Sequence, residues 1–270
     1  MARRLLWASL VLTPATLVAR FAFDADGTTL FVLSALALIP LAWLIGEATD
    51  HAAQHTGDGV GGFLNASFGN APELIIGLFA IADGLTTVVR GSITGSVVSN
   101  ILLVLGAAMI AGGEGKVDAR SLRLQLGAVF AAVVVLLVPS IPGWRGGLSV
   151  RTLALVSIPV AVVMLLGYLA ITAHNLRIHR EAERGEVPAT AWSLTLALAV
   201  LAVATVATAL VSEVLVHSLT DFGKAVGLSE FFIAVVIVAI VGNASDQAVS
   251  GTSPRSASRW MRRLCAVIAR

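Results

Sequence analysis

The sequence predicts an all-α, polytopic membrane protein with about eight transmembrane helices. Hydrophobic residues make up 57% of its 270 positions and charged residues only 13%, whereas an average soluble domain carries about 25% charged residues. The apolar residues form runs of a length that suits bilayer-crossing helices, each of which needs about 20 residues. The charged residues fall between these runs, so the pattern is not that of a single soluble core with a polar surface.

Eight apolar segments account for most of the chain. The first follows Arg3 and Arg4, and it is either a transmembrane helix or a signal peptide, although no Ala-x-Ala cleavage site follows it. If every segment crosses the membrane, Lys and Arg are in excess on the side that holds the N-terminus and the loop 174–190. This excess places the N-terminus and the loop on the cytoplasmic side of a bacterial-type inner membrane. The segments run over about 5–19, 30–45, 62–81, 93–111, 124–138, 153–172, 192–216 and 231–249.

Composition excludes several other classes of protein. The single cysteine, Cys265, leaves no disulfide framework and no thiolate metal site within the chain. A net charge of +2 gives no indication of nucleic-acid binding. We find no Ser/His/Asp, thiol or phosphate-loop arrangement, so we expect neither an enzyme nor a bound cofactor.

The third segment contains a carboxylate at bilayer depth. Glu73 has apolar residues on both sides and follows Gly69, Asn70 and Pro72. Burying a carboxylate there costs at least about 2.5–3.5 kcal/mol on insertion scales, so Glu73 should face a cavity or a partner. Pro72 lacks an N–H, and Gly69 permits close approach of the backbone. Together these residues predict a broken helix whose carbonyls and carboxylate converge on one spot, as in many cation transporters.

The eighth segment repeats this motif. Gly242, Asn243 and Asp246 occupy the same positions of a second Gly-Asn-Ala-x-acid sequence inside an apolar run. The two copies lie five predicted spans apart, and because five is odd they cross the membrane in opposite directions, which makes them an inverted-topology repeat. We expect the Glu73 and Asp246 carboxyl groups to lie within about 10 Å of each other across a polar cavity near mid-membrane.

An acid followed four residues later by a histidine precedes each copy. Glu47 and His51 stand before the first copy, and Glu213 and His217 before the second, so each pair shares one helix face. The two histidines fit a position at the membrane interface better than a role as ligands.

The motifs resemble those of the cation/proton exchanger branch of the calcium/cation antiporters. The likeness is dense from about residue 46 to residue 106 and resumes over residues 212–246. The segments that carry it are Gly46–Thr49, Leu64–Ile75, Ser92–Gly106 and Ser229–Ile233.

The resemblance implies roles for particular residues. In that family the acid ending each Gly-Asn-Ala-x-acid motif binds calcium and takes up protons, which assigns these roles to Glu73 and Asp246, the latter standing where the family usually has Glu. The residues implied beside them are Gly69, Asn70 and Asn243, with Ser96 and Asn100 of the segment Gly95–Asn100 on the opposite wall; Glu47, Glu213 and Glu230 are candidates for proton transfer or gating.

The resemblance favours antiport of calcium ions against protons across the membrane. A dication would neutralise both acids, and two protons would do the same. Exchange follows if the site can switch from one side of the membrane to the other only when it is neutral. Two alternatives remain open: a sodium-coupled cation/calcium exchanger, since the same acids could serve either ion, and a transport-incompetent membrane protein. The oligomeric state is not indicated.

The C-terminal end departs from the family pattern. Residues 251–270 are basic, rich in Ser and Arg, and interrupted by Pro254. We therefore expect a C-terminally truncated or frameshifted family member in which transport is impaired by loss of the last helices. The expected organisation is a first repeat with a preceding helix at 1–173, a cytoplasmic linker loop at 174–190, an incomplete second repeat at 191–250 and a non-family tail at 251–270.

Overall fold

The computed structural model describes residues 2–99, 149–178 and 192–243, with scattered positions between 102 and 137. The chain forms two compact units, one of residues Met1–Gly113 and Glu183–Arg270 and the other of residues Glu114–Ala182. All regular structure in the described ranges is helical. The helices are α1 (Ala2–Ser9), α2 (Leu12–Phe21), α3 (Gly27–Phe68), α4 (Ala71–Ala82), α5 (Thr86–Ser99), α6 (Val150–Ile178), α7 (Leu194–Val226) and α8 (Glu230–Gly242).

Several of these helices have the length and composition of membrane spans. Within the described residues, the stretches Arg4–Phe21, Gly27–Thr56 and Leu194–Val226 are long and apolar enough to cross a bilayer. Shorter apolar helices cover Ala71–Ala82, Ala154–Ala170 and Glu230–Gly242. The predicted segment 93–111 lies mostly outside the described residues, whereas the positions described within the predicted segment 124–138 are helical.

Helix α3 begins at a capped N-terminus. Asp26 precedes it, and its carboxylate accepts hydrogen bonds from the Thr29 hydroxyl at 2.7 Å and from the Thr29 N–H at 3.0 Å. These bonds satisfy a helix N–H that has no partner within the helix. They also hold the pKa of Asp26 below its usual value, because they favour the ionised carboxylate.

Helix α3 extends well beyond the segment 30–45 predicted from the sequence. It is helical over 42 residues, and its membrane-spanning part continues to Thr56. The extension corrects the predicted boundary at residue 45. Its physical reason is that the polar residues after Ile45 alternate with Ala, a strong helix former, and that Ala48 and Ala52 are fully buried against the rest of the unit.

The end of α3 folds back along its beginning. Phe68 packs against the buried cluster that contains Trp43 and Ala48 of α3 and Leu201 of α7. A straight helix would carry Phe68 about 30 Å beyond Ala48, since each residue adds about 1.5 Å. The helical run must therefore reverse direction between Ala48 and Phe68. The start of the third predicted segment thus runs back beside the second, although the helical assignment is continuous between them.

Ring contacts at both ends show that α3 and α7 are antiparallel. Near the start of α3, Phe31 stacks on Phe222 with ring centroids 4.2 Å apart. Farther along α3, His51 stacks on Trp192, just before α7 begins, at 4.5 Å. The two longest described helices of this unit therefore pack against each other over most of their length.

Helices α4 and α8 also run in opposite directions. Asp83, at the end of α4, lies 3.5 Å from His217. At the same end of α7, the Thr220 hydroxyl donates to Glu230, the first residue of α8, at 2.9 Å. One end of the bundle thus holds the end of α4 and the start of α8. The antiparallel course agrees with the inverted repeat predicted from the sequence.

Two glycines bring α5 into close contact with α8. A Cβ on Gly91 would lie 2.7 Å from the Ala234 Cβ, and a Cβ on Gly95 would overlap the carbonyl oxygen of Val235. Residues Ala234–Val238 form a π-helical turn inside α8. Such a turn displaces backbone carbonyls from their regular positions, and the oxygen of Val235 is the one that meets Gly95. The sequence gives no sign of this turn.

Substituting Gly95 by Ala should destabilise the protein. The new methyl group cannot fit against Val235, and overpacking of this kind costs about 1–3 kcal/mol, or several degrees in the unfolding midpoint. Gly77→Ala in α4 is the matched control, because nothing lies within 4 Å of its added Cβ. Thermal unfolding in detergent should show a lower midpoint for Gly95→Ala alone. Equal midpoints for the two variants would contradict the packing described here.

Candidate functional site

Glu73 lies in the first turn of α4, which begins just after a break between two helices. Helix α3 ends at Phe68, and Asn70, with φ −96° and ψ 9°, precedes α4. Pro72 occupies the first turn, where a missing N–H leaves no bond unmade. The Glu73 carboxylate is therefore close to the positive end of the α4 dipole. The break predicted from Gly69, Asn70 and Pro72 is present at these residues.

The second motif ends a helix in the same backbone conformation. Helix α8 ends at Gly242, and Asn243 follows with φ −81° and ψ 9°. Both asparagines of the repeated motif thus sit at a helix terminus with nearly equal backbone angles. Asp246 of this motif lies outside the described residues, so the separation of the two acids stays a prediction.

The Glu73 side chain lies directly against the second motif. A Cβ placed on Gly242 would be 2.6 Å from Cγ of Glu73 and 2.9 Å from Cδ. Both carboxylate oxygens of Glu73 are buried. Only glycine at position 242 leaves room for this contact. The structure therefore joins the acid of the first copy to the glycine of the second, two residues 169 positions apart in the sequence.

The contact between Glu73 and Gly242 lies deep in the helical bundle. Ten residues of α4 separate Glu73 from Asp83, and this is about 15 Å of helical rise. Twelve residues of α8 separate Gly242 from Glu230, which lies at the same end of the bundle as Asp83. This depth of about 15 Å is half the thickness of the hydrocarbon core of a bilayer, which is about 30 Å, so it agrees with the mid-membrane position expected for Glu73.

A cavity of about 450 Å³ lies beside Glu73, between α4 and α5. Its polar lining comes from Asn70, Glu73, Ser92 and Ser96, and the rest of its wall is apolar. The Ser96 Oγ is buried and has no hydrogen-bond partner among the described residues. Ser96 thus lines the same cavity as Glu73, and its role as a ligand stays a prediction, whereas Asn100 lies outside the described residues.

Ser92 is a lining residue that the sequence analysis did not select. It lies one helical turn before Ser96 on the same face of α5, and its hydroxyl donates to the Val89 carbonyl at 3.1 Å. The spacing of four residues between two serines on one helix could have identified it.

Asn243 offers a further oxygen at this depth. Its side chain is 1% exposed, and its Nδ2 donates to the Ala239 carbonyl at 3.1 Å. This bond leaves the Asn243 Oδ1 buried, with no hydrogen-bond partner in the described part of the chain. Gly69, which precedes Asn70, is also buried. The site therefore combines one carboxylate with amide and hydroxyl oxygens, a donor set that suits a hard cation such as Ca²⁺.

The described residues do not place a cluster of carboxylates at this site. The described residues contain no group of three or more His, Cys, Asp or Glu side chains arranged to hold a metal ion. A cation held here would depend on Glu73 together with neutral oxygens. Any contribution from Asp246 would add a second charge.

Two of the three gating candidates, Glu47 and Glu230, lie near opposite ends of α7. The carboxylate of Glu47 is 3.5 Å from Nε2 of His51, near Trp192. Glu230 accepts the bond from Thr220 at the opposite end of α7, and Glu213 is exposed on that helix. The role of these three acids stays a prediction.

Comparison with known proteins matches most of the chain to one family. Residues 27–177 and 196–261 match the family model described as "Sodium/calcium exchanger protein". The second matched range ends inside the segment 251–270.

Two similar proteins are named Ca²⁺/H⁺ antiporters. The Ca²⁺/H⁺ antiporter ChaA of Bacillus subtilis (strain 168) is 38% identical over 233 residues, which is 81% of this chain and 65% of that protein. The Ca²⁺/H⁺ antiporter of Aphanothece halophytica is 34% identical over 82% of this chain and 65% of that protein. This chain therefore spans slightly less than two thirds of the length of these relatives.

A solved structure confirms the predicted fold class. The structure of native YfkE superimposes with a TM-score of 0.75 and 29% identity, covering 97% of this chain and 76% of that chain. A crystal structure of selenium-substituted YfkE, titled as a Ca²⁺/H⁺ antiporter protein, gives a TM-score of 0.73. The all-α, polytopic membrane architecture predicted from the sequence is thus confirmed.

A cysteine pair at positions 73 and 242 should form a disulfide. A Cβ at position 242 would lie 2.6 Å from Cγ of Glu73, which is one bond from the Glu73 Cβ, so the two Cβ positions are at most about 4 Å apart and within disulfide range. We expect oxidation of Glu73→Cys/Gly242→Cys, in a Cys265→Ser background, to link the two halves of a chain cut at a protease site inserted in the loop 174–190. Non-reducing electrophoresis would detect the link.

Gly77→Cys/Gly242→Cys provides the matched control for this experiment. Position 77 is one turn farther along α4, and nothing lies within 4 Å of a Cβ added there. This pair should stay unlinked under the same oxidant. Linkage of the control pair, or none of the 73–242 pair, would contradict the described contact.

Proposed function

Because the chain belongs to the sodium/calcium exchanger family, we propose that it carries the cation site of a calcium/proton antiporter. The observation that carries this proposal is the contact of the Glu73 carboxylate with Gly242 at mid-membrane depth. Relatives at 34–38% identity bear the name Ca²⁺/H⁺ antiporter, which supports the same ions here. We further propose a secondary active mechanism, in which a proton gradient drives calcium movement.

Glu73 would exchange a proton for a share of the calcium ion. A bare carboxylate at mid-membrane is costly, so Glu73 is stable either as the neutral acid or beside a cation. Calcium takes six to eight oxygens at about 2.3–2.6 Å, and the oxygens of Asn70, Ser96 and Asn243 would add neutral ligands to the carboxylate. Proton and calcium therefore compete for the same oxygens, which couples release of one to binding of the other.

Asp246 would complete the charge balance. With two acids in the site, one calcium ion or two protons give the same neutral state. We propose that the helix bundle changes the side to which the site opens only in a neutral state. The opposite directions of α4 and α8 suit such a mechanism, since an inverted repeat can open to either side of the membrane around a fixed site.

Sodium-coupled exchange is the second candidate, because the matching family model is named for sodium and calcium. The two candidates differ in the gradient that drives calcium uptake. A pH gradient alone should suffice for a proton antiporter, whereas a sodium gradient at equal pH should suffice for a sodium-coupled exchanger.

The proposed insertion is that of an inner-membrane protein with its N-terminus and the loop 174–190 in the cytoplasm. It is supported by the excess of Lys and Arg on that side of the predicted spans. In a Cys265→Ser background, a cysteine placed at position 181 should resist an impermeant reagent added to intact cells. Ready labelling would reverse the orientation.

Glu73→Gln should abolish calcium uptake driven by a proton gradient. The amide keeps the shape of the side chain but neither binds a proton in exchange nor offers a negative charge to calcium. The measurement is ⁴⁵Ca²⁺ uptake into proteoliposomes that contain the 270-residue chain and have an acidic interior, with equilibrium binding of ⁴⁵Ca²⁺ to the purified chain in parallel.

Asp83→Asn is the control variant for the Glu73 experiment. Asp83, the residue that follows α4, is also acidic, but its carboxylate lies 3.5 Å from His217 and about 15 Å of helical rise from Glu73. Calcium binding should therefore persist in this variant. If the unmodified chain takes up calcium, uptake by Glu73→Gln at the same rate would refute the assignment. Binding lost in Glu73→Gln without uptake by the unmodified chain would support the site and refute transport by this chain.

A further inference from the structure

The chain just before α7 is held to α3 by two histidines. The Trp192 N–H donates to Nδ1 of His51 at 3.4 Å, and the Trp192 carbonyl accepts from Nε2 of His55 at 2.6 Å. The His51 ring also stacks on the Trp192 indole, with ring centroids 4.5 Å apart. Because His51 and His55 are four residues apart, they lie on one face of α3. Both main-chain polar groups of Trp192 are thus bound by side chains of α3.

These hydrogen bonds fix where each ring carries its proton. A backbone N–H only donates, so the Nδ1 of His51 that accepts it carries no hydrogen, and the proton of the neutral ring is on Nε2. This Nε2 lies 3.5 Å from the Glu47 carboxylate. A carbonyl only accepts, so Nε2 of His55 carries a proton. His51 therefore holds Trp192 only while it is neutral, whereas the bond from His55 is present in both charge states of that ring.

The corresponding histidine of the second copy is bound differently. Nδ1 of His217 lies 2.9 Å from the Glu213 carbonyl oxygen and 3.5 Å from the Asp83 carboxylate. Both neighbours are acceptors, so Nδ1 of His217 already carries a proton. A second proton on this ring would break neither contact. Of the two histidines in the repeated acid–His pattern, only His51 has a hydrogen bond that protonation removes.

The surroundings of His51 accept a charge on its ring but not a hydrogen on Nδ1. A proton on Nδ1 would place two N–H groups against each other, at His51 and at Trp192. The contact of Nε2 with the Glu47 carboxylate would at the same time become an ion pair. The described charged or titratable side chains of the elements that pack here are Glu47, Asp50 and His55 of α3, the exposed Arg4 of α1 and, from α7, none before Glu213.

We propose that His51, His55 and Trp192 form a pH-sensitive latch, which holds the start of α7 to α3 while His51 is neutral and releases it when His51 takes up a proton. Histidine is the side chain whose charge ordinarily changes between about pH 5 and 8. The latch does not depend on the proposed function, because it uses none of the residues of the cation site.

Release of the latch would act on the helix that contacts both helices of the cation site. The far end of α7 contacts the end of α4 through His217 and the start of α8 through Thr220. The latch itself lies beside the loop 174–190, on the side proposed to be cytoplasmic. It would therefore make the hold on α7 respond to pH on that side, separately from any proton that Glu73 binds.

The backbone amide of Trp192 reports the latch directly. The 270-residue chain is labelled with ¹⁵N-tryptophan and purified in detergent, and the amide signal that disappears in Trp192→Phe is that of Trp192. Its protection is the rate of exchange with water expected for an unstructured amide at the same pH, divided by the measured rate. Between about pH 8 and about pH 5 this protection should fall by about fivefold to tenfold, because one hydrogen bond is lost.

Two substitutions of His51 should remove the response to pH in opposite ways. His51→Asn offers an oxygen near the position of Nδ1 but takes up no proton, so Trp192 should stay protected at both pH values. His51→Phe keeps a ring without an acceptor, so protection should be low at both. His217→Asn, in the second copy of the acid–His pattern, is the matched control and should respond as the unmodified chain does. Glu73→Gln should respond in the same way, because the cation site is separate from the latch.

Each outcome of this experiment either supports or overturns the latch. Weaker protection of Trp192 at low pH in the unmodified chain, with no change in either His51 variant, supports it. Unchanged protection in the unmodified chain overturns it, as does a loss on acidification that persists in His51→Asn or His51→Phe. An equal loss at the Trp7 and Trp43 amides overturns it as a general loosening of the protein. Absence of the response in His217→Asn or Glu73→Gln also overturns it, because the proton would then bind elsewhere. None of these outcomes alters the proposed function, which the calcium measurements test separately.

Discussion

The contact between the Glu73 carboxylate and Gly242 is the constraint on which the rest of the structure depends. A carboxylate at mid-membrane is stable only where protein groups, a proton or a cation surround it. The α4 N-terminus supplies a favourable dipole, and the absence of a side chain at Gly242 supplies space. Each copy of the repeated motif thus provides what the other lacks, so neither helix end would form this site alone.

Close helix packing is the means by which the contact is held. Gly91 and Gly95 let α5 approach α8 closely enough for Gly95 to meet a carbonyl of the π-helical turn. The antiparallel packing of α3 on α7 fixes the frame around them, from the stacked rings of Phe31 and Phe222 to those of His51 and Trp192. Since membrane helices pack best where small residues allow close approach, the glycines of α5 are as important as the acid they help to position.

The repeated motif made the core of the site predictable, because Gly-Asn-Ala-x-acid places a helix break and a carboxylate together in both halves. Other features depended on packing that no local pattern reveals. The predicted segment ended at Ile45 because polar residues interrupt the apolar run there, yet those residues continue the same helix, whose Ala48 is buried. The π-helical turn lies in a uniform run of Val, Ile and Ala.

The location of a bound divalent cation tests the central claim most directly. An experimental structure of the 270-residue chain with strontium, a heavier analogue of calcium, would locate the ion by its anomalous scattering. Our account predicts a peak at mid-membrane depth between Glu73 and Asn243, with a Glu73 carboxylate oxygen within the coordination range of about 2.3–2.6 Å expected for calcium, or slightly more for the larger ion. A peak beside Glu47 and His51, or beside Asp83 and His217, with none at Glu73 would contradict it.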